Sequence, residues 1–250
     1  ASLGDAYVVG RELGGGGMSR VFAAEETAFG RPGVVKVLPR EACGTVSADR
    51  FAREIQLAAR LQHPHIVPLL AAGITRTSAE GRPGLPYYTM PLVEGESLRA
   101  LIARGPVPLE EAVPILRDLA MTSRGIALGT PAYMAPEQVA ADPAVDHRAD
   151  LYAFGVVAYE VLAGRPPFTG PRAMSVMAAH VHQAPEPIDR VRSGLPAELA
   201  AIVMQCLAKD PAARPASAGA IVAALGASIT PPAGVRPYVA RDAEPAAAAS

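Results

Sequence analysis

A run of small residues opens the chemistry of this chain: Leu13 is followed by Gly14, Gly15, Gly16 and Gly17, then by Met18, Ser19, Arg20 and Val21. Backbone amides close over phosphate groups only where no side chain stands in the way, and glycine leaves them bare at no steric cost. Taken alone, such a run is as readily a flexible hairpin. A lysine further along the chain weighs against that reading. Gly33-Val34-Val35-Lys36-Val37-Leu38 sets one ammonium inside an otherwise apolar stretch. The chain has 23 Lys and Arg residues, and only Lys36 and Lys209 are lysines, so a sequence that avoids lysine still places one here. A compact point charge of this kind suits a phosphate.

Two later stretches carry further acids and hydroxyls. One is Gly129-Thr130-Pro131-Ala132-Tyr133-Met134-Ala135-Pro136-Glu137 and the other is Asp146-His147-Arg148-Ala149-Asp150. Together with the glycine run and the Val-Val-Lys-Val stretch, they resemble a bacterial serine/threonine protein kinase domain of the receptor-kinase type, over residues from about 7 to 225. The resemblance implies an α+β, two-lobed protein-kinase-like fold. Its small lobe, over 1–93, would be mostly antiparallel β with one helix. Its large lobe, over 94–225, would be mainly helical and cut internally at 120/121.

The cofactor implied by the resemblance is ATP. Leu13, Gly14, Gly16, Val21, Val34, Lys36, Glu54, Met90 and Val93 would surround it. In the glycine pattern G-x-G-x-x-G-x-V, Ser19 takes the third place, a mild departure. Lys36 would meet the α- and β-phosphates with Glu54 holding it in place. Met90 would be the gatekeeper, and the Pro91 carbonyl and Val93 amide would face adenine; an ordinary edge strand ending at Gly95 would have the same backbone. Thr130, after Gly129, falls in the loop that receives a substrate serine or threonine, and Glu137 would pair with Arg214 as a structural clasp. Thr122 and Ser123 stand where phosphorylation often orders the activation segment, ordinary loop hydroxyls being the equal alternative.

The chemical centre of that family is absent. Neither an H-R-D-x-K-x-x-N loop nor a D-F-G loop lies between Ala120 and Met121, and the sequence contains no asparagine and no Asp-Phe pair. Relative to the kinase signature set, roughly 50 residues are missing. No catalytic residue is therefore expected. Asp118, in Leu116-Arg117-Asp118-Leu119-Ala120, is the one candidate base. Ala120, however, stands where these kinases place a phosphate-contacting lysine, and Val113, Leu116 and Leu119 put Asp118 inside an amphipathic helix. No metal ligand is assigned, and Mg²⁺ is expected only with the missing segment restored. Asp150, which accepts hydrogen bonds from the catalytic loop in intact kinases, is expected to be a buried acid without partners. The domain would bind ATP without transferring phosphate, a pseudokinase acting as a scaffold or interaction module being the alternative.

The elements that must position these residues change character near residue 95. Tyr7–Val9, Val21–Ala23, Val34–Leu38, Ile66–Leu70 and Pro86–Leu92 read as strands, with a turn at Arg31-Pro32-Gly33. Ser47 would cap a helix running to about Leu61, with Phe51, Ile55, Ala58 and Leu61 as its apolar stripe. Helices are expected at Leu109–Ala120, Arg148–Ala163 ending at Gly164, Ala197–Lys209, and Ala216–Leu225 ending at Gly226.

Half the residues are hydrophobic and the net charge is -1, which gives nothing a nucleic acid would recognise. Partners would be a protein substrate or a partner protein. Cys43 and Cys206 match no metal or redox spacing and read as reduced thiols of a cytoplasmic protein, or of the cytoplasmic part of a longer membrane receptor. The longest apolar run, Phe154–Leu162, is broken by Glu160, so no membrane span is expected. Residues 226–250, rich in Pro and Ala, read as a flexible linker.

Overall fold

Valines at 34, 35 and 37 suit a pleated, half-buried strand, and Arg31–Val37 forms β3, the centre of a five-stranded antiparallel sheet. Its neighbours are β1 (Tyr7–Gly16), β2 (Ser19–Glu26), β4 (Ala71–Ile74) and β5 (Pro86–Pro91), in the order β1-β2-β3-β5-β4. The computed structural model describes residues 6–16, 19–39, 51–53, 55–56, 58–59, 63, 65–75, 84–122 and 131–228. The chain divides into two units, Ala1–Gly95 and Glu96–Ser250.

Because successive side chains alternate between faces, the sheet has two chemical sides. Ala24, Val35 and Val37 are buried on one, packed with Tyr7, Val9, Phe22, Leu85 and Tyr87. On the other, Leu38 and Tyr88 pack against Phe51 and Ile55 of a helix, α1, whose described residues are 51–53, 55–56 and 58–59. The i, i+4 spacing of Phe51 and Ile55 is the stripe that docks α1 on the sheet; Ser47 and Leu61 lie outside the described residues.

β1 and β2 extend beyond the expected Tyr7–Val9 and Val21–Ala23, and the strands depart from expectation in two further places. Arg31, Pro32 and Gly33 belong to β3, opposite Glu26, Glu25 and Ala24. The turn lies earlier, at Thr27–Gly30, where Gly30 takes a left-handed φ of 62°. Proline is tolerated at 32 because β3 there runs past its last β5 partner, the Gly33–Pro91 pair. Ile66–Leu70 forms no strand. Pro68 interrupts it, Val67 and Leu70 are exposed, and small Ala71, Ala72 and Gly73 take up the pairing with β5 instead.

In the second unit the core surrounds α5 (Arg148–Ala163), whose Leu151, Tyr152, Phe154, Val156, Tyr159, Val161 and Leu162 are all buried. Burial on every side explains its nearly uniform hydrophobicity. Gly164 ends α5 with φ 72° and donates its N–H to the Glu160 carbonyl at 2.8 Å, the left-handed cap that its sequence suggests. α3 (Leu109–Thr122) packs its buried Ala112, Val113, Leu116 and Ala120 into the same core and runs two residues beyond the expected end. α2 (Leu98–Ile102), capped by the Ser97 hydroxyl, was not legible in the sequence.

The remaining helices are α4 (Pro136–Val139), α6 (Ala173–His182), α7 (Ile188–Val191), α8 (Ala197–Cys206) and α9 (Ala218–Ser228). α8 stops at Cys206, short of Lys209. α9 passes straight through Gly226 to Ser228, because that glycine does not adopt the left-handed conformation a cap needs. The expected boundary of the terminal linker at 226 is thereby corrected. Asp150 is also corrected: it is buried, but it is not without a polar partner. Among the described residues no helix is long and apolar enough to cross a membrane.

Candidate functional site

Residues directly opposite one another across antiparallel strands share a face. One such row crosses the whole sheet: Gly14 opposes Val21, Val21 opposes Lys36, Lys36 opposes Tyr88, and Tyr88 opposes Ala72. One step along, Val34 opposes Met90. Alternation therefore brings Val21, Val34, Lys36 and Met90 to a single face, with the glycine turn at its edge. The Lys36 ammonium sits 5.4 Å from the centre of the Tyr88 ring, a cation–π distance.

Gly14 has φ 137°, and a Cβ built on it would meet no heavy atom within 4 Å. The glycine is thus demanded by backbone conformation while the space above it is open. Leu13 is exposed and Gly16 closes β1 opposite Ser19. Beside the turn, Arg20 Nε donates to Glu12 at 2.9 Å, and this bond holds the Glu12 carboxyl below its usual range. Val93, beyond β5, is 57% exposed. Glu54 lies outside the described residues.

The second unit holds a clasp built on Arg214. Its Nη1 and Nη2 donate to Glu137 Oε1 and Oε2 at 2.6 and 2.8 Å. Nη1 also reaches the Arg148 carbonyl at 2.9 Å, Nε the Ala208 carbonyl at 2.9 Å, and Nη2 the Lys209 carbonyl at 3.2 Å. A guanidinium has five N–H groups, and each finds an acceptor. The Tyr152 ring lies 4.9 Å below it. The motif resemblance pairs these two residues, and the structure brings them together.

Nearby, Tyr133 donates its hydroxyl to Glu160 Oε2 at 2.9 Å, and burial, then Glu160, pushes the Tyr133 hydroxyl upward. Thr122 is the last residue of α3, and its hydroxyl donates to the Leu119 carbonyl at 2.7 Å. Asp118 stands within the body of the same helix. Ser123, Gly129 and Thr130 lie outside the described residues.

Sequence reasoning missed three buried or half-buried polar residues close to this clasp: Tyr152, His180 and Lys209. Tyr152 OH lies 3.0 Å from His180 Nδ1, and His180 Nε2 lies 3.0 Å from the Ala132 carbonyl. The scarcity of lysine was the available signal for Lys209. His180, one of two histidines in the last turn of the apolar helix α6, offered none.

The class that the sheet and the clasp define is a protein-kinase-like domain in two units. The protein kinase domain family model matches residues 119–224. The serine/threonine-protein kinase pkn2 of Myxococcus xanthus is 32% identical over 288 aligned positions, which take in 92% of this chain and 34% of that protein. PknB of Mycobacterium leprae is 33% identical over 256 positions, covering 84% of this chain and 40% of that one. Among solved structures, the kinase domain of Mycobacterium tuberculosis PknI superposes with a TM-score of 0.68 at 25% identity, covering 90% of this chain and 96% of that one. The chain belongs to the bacterial serine/threonine protein kinase family, and it spans between about a third and two fifths of the length of these two curated relatives.

Proposed function

We propose that this chain binds ATP on the Lys36 face of its sheet and does not transfer phosphate. The observation that carries the first half is the cross-strand row that puts Gly14, Val21 and Lys36 in register, with Val34 and Met90 as an apolar floor beside them. Open space at Gly14 fits a phosphate approached by bare amides. Leu13 and Gly16 would complete the turn, Glu54 would hold Lys36, and Val93 would contribute its amide to the base. ATP, when bound, supplies the phosphoryl group that the family transfers; in this chain Lys36 binds and orients the phosphates.

The second half rests on residues the sequence lacks. Transfer needs an Asp to orient the hydroxyl nucleophile, and an Asn and another Asp to hold magnesium, and this chain has no asparagine and no Asp-Phe pair. The alignment to pkn2 supports an internal gap, since its 288 positions exceed the 250 residues available here. Mg²⁺ would be held only with that segment restored. In this reading 1–93 is the ATP-binding lobe and 94–225 the docking lobe, cut at 120/121, and the protein is cytoplasmic or the cytoplasmic part of a longer receptor.

A second reading is a pseudokinase acting as a scaffold or interaction module. It is favoured by the five-acceptor clasp on Arg214, which keeps the end of the 129–137 segment anchored although catalysis is absent. Its partner would be a protein that engages Gly129, Thr130 and the turn behind them.

The experiment is titration with a fluorescent ATP analogue alongside a Mg²⁺-dependent γ-phosphate transfer assay. Saturable binding without transfer is expected, and Lys36→Met should weaken binding by about tenfold to a hundredfold, the equivalent of the ~1.5–3 kcal/mol of a hydrogen bond to a charged group. Any transfer above background overturns the inactive reading, and no saturable binding overturns the ATP reading. Sequencing the transcript across the codons for Leu119 to Thr122 then separates a shortened copy of a working kinase from a pseudokinase.

A further inference from the structure

Lys209, half-buried at the end of the stretch after α8, donates to the His180 carbonyl at 2.6 Å and to the Ala179 carbonyl and the Tyr152 hydroxyl oxygen at 3.4 Å each. Its ammonium also lies 4.2 Å from the centre of the Phe168 ring. The donors and acceptors then fall in one order. The Ala132 carbonyl can only accept, so His180 Nε2 must carry a proton to donate to it at 3.0 Å. A neutral imidazole is then bare at Nδ1, and Tyr152 must donate its O–H there, at 3.0 Å. The same Tyr152 oxygen accepts from Lys209.

We propose that Lys209, Tyr152 and His180 form a proton-sensitive positioning relay that sets the Pro131–Tyr133 turn. This deepens the docking reading of the 129–137 segment, because the relay ends on the Ala132 carbonyl, two residues after Thr130. Its direction holds only while His180 is neutral. A second proton, on Nδ1, would leave the buried Tyr152 hydroxyl proton without its acceptor and would set a new cation against Lys209.

The groups facing His180 favour the neutral form. From α5 it meets Tyr152, whose hydroxyl burial drives well above the ordinary range, so it stays a donor. From the stretch after α8 it meets Lys209, with Arg214 behind Tyr152 and Glu137 of α4 held by Arg214. From the loop before α6 it meets only the edge of the Phe168 ring, 4.9 Å between centroids. Burial first, and then the Lys209 charge, push His180 below its usual value, against the bond to Ala132 that raises it. The same burial, with Arg214, lowers Lys209 to about 8.

The test uses the full chain and two readouts over about pH 5 to 8, the range in which histidine titrates. Side-chain nitrogen NMR reports the tautomer and midpoint of His180, and hydrogen exchange reports the amides of residues 132–135. Expected are the Nε2–H tautomer at neutral pH, a midpoint below the ordinary histidine value, and faster exchange at 132–135 with the same midpoint. Lys209→Met should raise that midpoint in both readouts. His180→Gln keeps a donor for Ala132 but cannot titrate, so its exchange should be slow and flat across the range.

An Nδ1–H tautomer, exchange at 132–135 that ignores pH, or unmatched midpoints would each overturn the relay. If His180→Gln does not fold, the Lys209→Met shift decides alone, since a merely structural lysine would lower overall stability without moving the His180 midpoint. Neither readout needs a ligand. Absence of binding to a serine/threonine peptide library defeats the docking reading, while matched midpoints still support the relay.

Discussion

Arg214 illustrates how much one side chain can hold when nothing else can take its place. Its guanidinium is buried, with a bidentate carboxylate and three carbonyls as acceptors. Truncation strands the nearly buried Glu137 charge, so Arg214→Met should cost about 3–5 kcal/mol in urea-induced unfolding. Arg214→Lys should recover only a small part of that, because an ammonium cannot reproduce the planar fork. A loss under about 1 kcal/mol for Arg214→Met would mark the clasp as a surface-like pair. Cys206 belongs at the same scale. Burial pushes its thiol up to about 12, so the folded chain should resist thiol reagents at this position at neutral pH, as mass mapping of alkylated peptides would report. Motif spacing made Glu137 and Arg214 legible in the sequence. Tyr152, His180 and Lys209 were not, because a hydrogen-bond chain between residues some 28 and 57 positions apart leaves no local pattern.

At the scale of elements, two glycines set how α5 sits. A Cβ on Gly155 would lie 2.7 Å from Cys206 Cβ, so α5 and α8 approach as closely as backbones allow. Gly155→Ala should therefore destabilise by about 1–3 kcal/mol through overpacking, measured as a lowered thermal midpoint; a neutral outcome would mean that α8 can shift. A Cβ on Gly164 would meet the Pro106 nitrogen at 2.9 Å, and its φ is left-handed as well. That cap was readable, because glycine after an apolar run is a local signal. Gly226 carried the same signal and misled, since packing of Ile221 and Leu225 into the core carries α9 onward. The strand errors have a similar origin. Arg31-Pro32-Gly33 has turn composition, yet β2 supplies a partner for each of its residues, and Ile66–Leu70 has strand composition without a partner ladder. Pairing, a property of two segments, overrode the composition of one.

For the molecule as a whole, the two units carry different chemistry, and this gives them separable signatures. The sheet unit holds the proposed nucleotide face, and the helical unit holds the depressed bases His180 and Lys209. For both bases the folded value lies below the unfolded one, so the unfolded chain binds more protons and stability rises with pH across each window. The His180 contribution is full above its ordinary value of 6.5 and is lost as pH falls through the folded value. That of Lys209 is full above 10.5 and is lost on descent toward about 8. ATP adds an independent term, because a ligand at a hundred times its Kd stabilises the state that binds it by about 2.7 kcal/mol. Site-resolved hydrogen exchange should show ATP protecting β1, β2, β3 and β5, and acid exposing the 132–135 amides. Lys36→Met should weaken the first response in step with its lower affinity and leave the second unchanged. If it weakened both, the proton response would belong to the nucleotide face and not to the Tyr152–His180–Lys209 chain. If ATP protected no strand amides in the unaltered chain, the sheet would be a kinase lobe that has kept its register and lost its ligand.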